Sequence, residues 1–473
     1  MNNQDNASGA STLSPAKLWS ILAVVLAADV MDLLDGTITN LAAPLISQTL
    51  GGGQVLLQWL GTSYALAMGV FLVVGGRLGD KYGQRKLFLI GIAGFTTASL
   101  ACGLAVNSTM LIVSRLLQGA FGALLIPQGM AIMTANFPRD MRAKAFSVFG
   151  PTMGVAAVLG PILAGYLIHA DLGNTGWRSM FLINLVLGSI GFFAAWKTLP
   201  KDRGDSSIVL DGPGSGLLGG TMMFLLCGLI AGANNGWSHI AAAEIILGLV
   251  CFGLFGWRQT VAKNPLIKPS LLKNRGFTSG LILALVFFAV VNGLCYVISL
   301  YLQTGLGSSP FTASLQMTPL MIGIIIASVV GSMLIKKLGK KLIAIGLAVT
   351  AAGAFYFIQL LRPVGAINPW GLFPAILVVG FGMGLCFGTL FDVVIGDIAP
   401  DEAGSASGSL SAVQQLAGSI GSAVITTVFF AAEKAAGNAV AMQRSLVIVI
   451  ATMAICFAMV WLLPSKVGDS HPQ

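Results

Sequence analysis

The chain has 473 residues, 56% hydrophobic and 9% charged, with a net charge of +9 and a mean hydropathy of +0.87. Soluble domains carry nearer a quarter of charged residues, so this composition excludes a soluble enzyme and points to a polytopic helical membrane protein. Six cysteines without a CxxC pair and three scattered histidines offer no disulfide framework and no metal site.

A polar tail at 1–17 leads into the first apolar span, about 19–46, and no cleavable signal is evident there. This span holds Asp29, Asp32 and Asp35. A carboxylate at the centre of a bilayer costs roughly 2.5–3.5 kcal/mol on insertion scales, so a simple anchor would not carry three. Spaced by three residues, they run along one side of a helix. That side is expected to face a protein interior or a water-filled path, where a carboxyl can gain and lose a proton. The residues alone therefore predict a proton-handling transporter. Asp29, nearest the cytoplasmic end, is expected to be solvated and incidental.

Further spans follow at about 55–76, 87–106, 109–136, 145–169, 179–199, 213–233, 239–257, 277–302, 311–335, 341–361, 370–395, 405–431 and 443–464, fourteen in all. Basic residues gather in alternate loops: Arg77, Lys81, Arg85 and Lys86, then Arg139, Arg142 and Lys144, then Lys197, Lys201 and Arg203. The pattern continues with Arg258 to Arg275 (including Lys268) and with Lys336, Lys337, Lys340 and Lys341, while the intervening loops hold little beyond Arg178, Arg362, Lys434 and Arg444. This is the positive-inside distribution, and it predicts cytoplasmic termini. The positive charge reports topology, and no nucleic-acid partner is expected.

Span 4 carries Arg115, which needs a partner inside a membrane; the span 1 carboxylates are the candidates. An internal repeat links Val73–Leu87 to Val329–Ile343, with Gly75 matching Gly331 and Gly83 matching Gly339. Six spans are too short to fill that offset. Two additional helices between parallel repeats account for it, a plan that places a substrate site at the midplane between the halves.

Several segments, taken together and in order, resemble the major facilitator superfamily, and within it the fourteen-span drug:proton antiporters. The loop after span 2, with Gly76, Asp80, Lys81, Gly83 and Arg85, is similar to motif A; Gln84 stands where a basic residue is usual. Arg115, Gln118, Gly119 and Gly122 resemble motif B. Gly150, Pro151, Gly154, Gly160, Pro161 and Gly165 resemble the antiporter signature of span 5, with Ala164 replacing a glycine. Leu34-Asp35 through Asn40 and Pro44 resemble motif D. Trp177-Arg178 before Phe181 to Asn184 looks like a structural landmark of the family.

The resemblance implies an all-α integral membrane protein with the major facilitator fold: two six-helix bundles plus an inserted two-helix hairpin, fourteen transmembrane helices. The expected units are a cytoplasmic tail at 1–17, a bundle at 18–199, a linker at 200–212, the hairpin at 213–259, a linker at 260–276, a second bundle at 277–464 and a tail at 465–473. It further implies proton-coupled export of amphipathic drugs by alternating access at a bacterial cytoplasmic membrane. Asp35, with Asp32 and Arg115, would couple protons. No cofactor beyond the proton gradient and no metal is expected, and the protein would function as a monomer. Cargo would meet an adaptable apolar wall, for which Trp59, Tyr64, Met68, Met130, Phe287, Phe288, Asn292 and Tyr296 are candidates. A dedicated exporter of one metabolite or antibiotic is the main alternative. An uptake symporter and a membrane enzyme are disfavoured.

Overall fold

In the computed structural model the described residues are 14–171, 175–235, 237–267, 269–361, 368–395, 398 and 403–463. The tails at 1–13 and 464–473, and with them Lys268 and Arg362, lie outside the described residues. Among the described residues fourteen helices have twenty or more residues. They are α1 (Pro15–Leu50), α2 (Gly53–Tyr82), α3 (Gln84–Gly103), α4 (Ser108–Asn136), α5 (Arg139–Ala170), α6 (Ser179–Thr198), α7 (Gly212–Asn235) and α8 (His239–Val261), and, after the short α9 (Pro269–Lys273), α10 (Arg275–Leu300), α11 (Pro310–Leu338), α12 (Lys340–Leu360), α13 (Phe373–Ile395), α14 (Ala403–Ala436) and α15 (Asn438–Val460). Twelve spans among them are long and apolar enough to cross a membrane; α1 and α5 are not among the twelve. The three aspartates of α1 set it apart from its neighbours.

Local chemistry explains where many of these helices begin. The side chains of Asn107, Ser238, Asn274 and Ser309 each accept a hydrogen bond from the backbone N–H three residues on, opening α4, α8, α10 and α11. That satisfies one of the free N–H groups every helix start leaves. At the opposite kind of junction, two glycines let one helix pass straight into the next. Gly83 (φ +98°) joins α2 to α3, and Gly339 (φ +50°) joins α11 to α12. Both lie where a side chain is disfavoured, and both occupy the matching position of the sequence repeat.

The repeat extends to packing. In the first half α1 packs on α5, α2 on α4, and α3 on α4 and α6; in the second α10 packs on α14, α11 on α13, and α12 on α13 and α15. The halves meet along two related seams, α2 with α14 and α5 with α11. α7 packs on α8 and rests on α2 and α14, beside the first of these seams. The span of α8 is only 17% buried, with Ile246, Phe252 and Trp257 turned outward, as expected of a helix surrounded by lipid.

Contacts between the halves concentrate away from the basic loops. Gln58 Nε2 donates to Thr427 Oγ1 at 3.2 Å, and Ser419 Oγ donates to the Thr62 carbonyl at 3.1 Å. Tyr296 donates its hydroxyl to the Leu57 carbonyl. His169 of α5 stacks on Phe311 of α11 at 5.9 Å, next to Gly165, where an added Cβ would lie 2.7 Å from the Phe311 Cα. Trp177 and Arg178 brace the same end: the indole N–H reaches Thr49 Oγ1 at 2.8 Å and the guanidinium reaches the Ala105 carbonyl at 3.0 Å.

Candidate functional site

The site lies where α1, α3, α4 and α6 converge. Asp35 is 0% and Arg115 1% exposed, and they form a salt bridge through Arg115 Nη1 and Asp35 Oδ2. The other carboxylate oxygen, Oδ1, accepts from Gln118 Nε2 at 2.8 Å and from Asn184 Nδ2 at 2.7 Å. Gln118 also accepts from Arg115 Nη1 at 2.7 Å and donates to Ser99 Oγ at 2.6 Å. Both oxygens of Asp35 are thus committed to donors from two other helices. A proton arriving on Asp35 would remove the charge that pairs with Arg115 and weaken all three of these bonds.

A second carboxylate stands one turn away. Asp32, 7% exposed, accepts the hydroxyl hydrogen of Tyr64, and the Tyr64 ring lies under the Arg115 guanidinium at 4.4 Å. Tyr64 therefore touches Asp32 with its hydroxyl and Arg115 with its face. Motif B makes the room: a Cβ on Gly122 would lie 2.8 Å from the Tyr64 hydroxyl and 2.9 Å from Asp32 Oδ1, and one on Gly119 would lie 2.3 Å from the Tyr64 carbonyl. Gly160 does the same for α1, opposite Thr37 and Leu34. Pro161 is buried beside it, while the surroundings of Gly150, Pro151 and Gly154 in α5 fall outside the described residues.

Asp29 requires a correction. Rather than lying solvated at a helix end, it is 6% exposed, and neither carboxylate oxygen has a hydrogen-bond partner among the described residues. α1 continues to Pro15, a further fourteen residues toward the basic end, and what packs around the helix buries Asp29.

The proposed cargo wall is not one surface in this conformation. Met68, Phe287, Phe288 and Tyr296 are buried in packing, the two phenylalanines in a cluster with Phe387 and Phe391. Tyr64 belongs with Asp32. Trp59 and Met130 are half-buried and Asn292 is exposed. In the motif A loop, Gly76 approaches Pro127 of α4, Lys81 lies over the Tyr82 ring, and Arg85 Nη2 donates to the Trp196 carbonyl at 2.5 Å. Asp80 forms no ion pair among the described residues. Burial raises its pKa and nearby Arg77 partly opposes the rise. Its carbonyl accepts from the Asp205 N–H at 2.8 Å, so the segment after α6 is tied to this turn.

Ser99 and Asn184 complete the network around Asp35 without having been assigned to it from sequence. A serine or asparagine in an apolar span signals a polar partner, but not which helix supplies it.

A family model described as Major Facilitator Superfamily matches residues 25–422. The chain is 42% identical over 423 residues to a probable actinorhodin transporter of Streptomyces coelicolor, covering 88% of this chain and 73% of that one. It is 30% identical over 419 residues to a puromycin resistance protein of Streptomyces alboniger, covering 88% and 82%. A solved peptide transporter in complex with sulfate has the same fold, with a TM-score of 0.68 at 16% identity over 95% of this chain and 96% of that one. Two packed repeats of six helices, a multi-pass composition and these matches agree: the chain belongs to the major facilitator superfamily of membrane transporters.

Proposed function

We propose that this transporter exports amphipathic organic compounds in exchange for protons by alternating access. The observation that carries the reading is the fully buried Asp35–Arg115 pair, a carboxylate in a membrane helix whose ion pair is neutralised when it takes up a proton. Relatives named for transport of, or resistance to, antibiotics support the outward direction. In this cycle a proton from outside neutralises Asp35 and frees Arg115, with Asp32 and Tyr64 as the adjoining acid and its donor. Reorientation then opens the site to the cytoplasm, where loss of the proton restores a negative site able to favour a cationic ligand. One carboxylate cannot hold both. The closed seams at the end away from the basic loops correspond to the stage in which the site is sealed from outside.

The same reading takes α1 and α5 as membrane-crossing, making fourteen spans with α7 and α8 as the inserted hairpin. It places both termini in the cytoplasm of a bacterial cell and one chain as the working unit. Neither a cofactor nor a metal enters the cycle. A second reading is export of a single compound, favoured by relatives that are each named for one antibiotic. Cells expressing the chain decide between them. Efflux of unrelated lipophilic cations and neutral antibiotics, mutually competitive and stopped by a protonophore, is the expected result. Saturable efflux of one compound, untouched by the others, selects the narrower exporter. Accumulation of cargo inside the cells overturns export altogether.

A further inference from the structure

A groove of about 550 Å³ lies on the outside of the first half, between α3 and α6 at the basic end, remote from Asp35. Its head is cationic. Arg85, Lys86 and Lys201 line it, and the single acid there, Asp202, is already engaged: its carboxylate accepts from the backbone N–H groups of Gln84 and Arg85 at the start of α3. Arg85 Nη2 donates to the Trp196 carbonyl at 2.5 Å, which fixes the guanidinium in the groove wall, and its buried Nε has no hydrogen-bond partner among the described residues. The body of the groove is apolar and turned outward, along Ile90 (42% exposed), Ala93 and Trp196 (55% exposed).

The groove sits where α3 starts and α6 ends, the depth at which tryptophan and basic residues mark a membrane surface. A soluble anion would use only the cations. An acyl chain alone would use only the apolar wall. We propose that this groove binds an anionic phospholipid of the adjoining leaflet, its phosphate on Arg85, Lys86 and Lys201 and one acyl chain along Ile90, Ala93 and Trp196. Such a lipid bridges α3 to the segment after α6, which is itself tied to the Asp80 turn.

The test uses the full-length protein in detergent and counts retained lipid by native mass spectrometry during titration with dioleoylphosphatidylglycerol or dioleoylphosphatidylcholine. Lys86 and Lys201 are exposed, so Lys86→Gln and Lys201→Gln remove charge without disturbing packing. Each lysine near an anionic headgroup contributes about 5-fold in affinity, so the double variant is expected to bind phosphatidylglycerol about 30-fold more weakly. Ala93→Trp, which fills the apolar part while keeping the cations, is expected to lose the tight site as well. Wild type should prefer phosphatidylglycerol to phosphatidylcholine, and inorganic phosphate should not displace it. Equal retention by wild type and both variants overturns the proposal. Displacement by inorganic phosphate also overturns it, by assigning a free-anion site.

Discussion

Breaking the Asp35–Arg115 pair from either side should cost more than removing it whole. Asp35 is 0% and Arg115 1% exposed, so neither charge has water to fall back on. Asp35→Asn leaves the guanidinium with the Gln118 carbonyl oxygen and the Tyr64 ring. Arg115→Gln leaves the carboxylate with Gln118 and Asn184. Each single change strands a buried charge, at about 3–5 kcal/mol. Independent effects would sum to about 6–10 kcal/mol in the double variant, whereas loss of both charges together is expected to cost no more than about 2 kcal/mol. Thermal unfolding in detergent, followed with a thiol-reactive dye on the six free cysteines, ranks the four proteins. The double variant should melt above both single variants while remaining inactive in transport. A double variant melting below both singles would refute the pairing as the source of the cost.

Tyr64→Phe leaves the Asp32 carboxylate without its donor, at about 1–3 kcal/mol, and Asp32→Asn added to it should recover most of that in the same melting assay. Lowered cargo affinity with unchanged melting would instead make Tyr64 a cargo contact. Gly421→Ala should impair folding, because the new Cβ would lie 1.7 Å from the Ala289 carbonyl where α14 crosses α10; yield of monodisperse protein reads this. Gly253→Ala in α8, where a Cβ meets nothing within 4 Å, should be neutral or stabilise by up to about 1 kcal/mol. Cysteines at Gln58 and Thr427, joined by a cross-linker with a reducible spacer, should stop transport until the link is reduced, since alternating access must part this seam.

Much of this architecture was legible in the sequence because hydropathy and loop charge act over whole helices. The repeat between Gly83 and Gly339 was readable for a related reason: a tight helix-to-helix turn demands a particular residue at a particular position. Arg115 could be paired with α1 since an arginine in a span has few possible partners. The resemblance of Leu34-Asp35 through Pro44 to motif D singled out Asp35 among the three aspartates, but that Asp35 is the one paired with Arg115 needed the angular setting of α1 against α4 and α6. Asn184 shows the limit. It falls within a segment marked as structural, and nothing local says that its amide reaches Asp35, 149 positions earlier. Asp29 is buried although it stands in the half of α1 nearer the basic end, because burial depends on what packs around the helix and not on distance along it, and the sequence does not show that packing. The cargo wall was the least legible part. Aromatic residues such as Phe287 and Tyr296 serve packing and seam contacts as readily as ligands, and only the fold separates these uses.

Proton movement in proteoliposomes decides whether Asp35 couples cargo export to protons. Purified wild type and Asp35→Asn protein are reconstituted, and internal and external pH are followed as lipophilic cations and neutral antibiotics are added. Cargo-evoked proton flux in wild type, opposite in direction to cargo and absent from the Asp35→Asn protein, is the result predicted. Undiminished cargo-evoked proton flux in the Asp35→Asn protein would rule out Asp35 as the coupling residue.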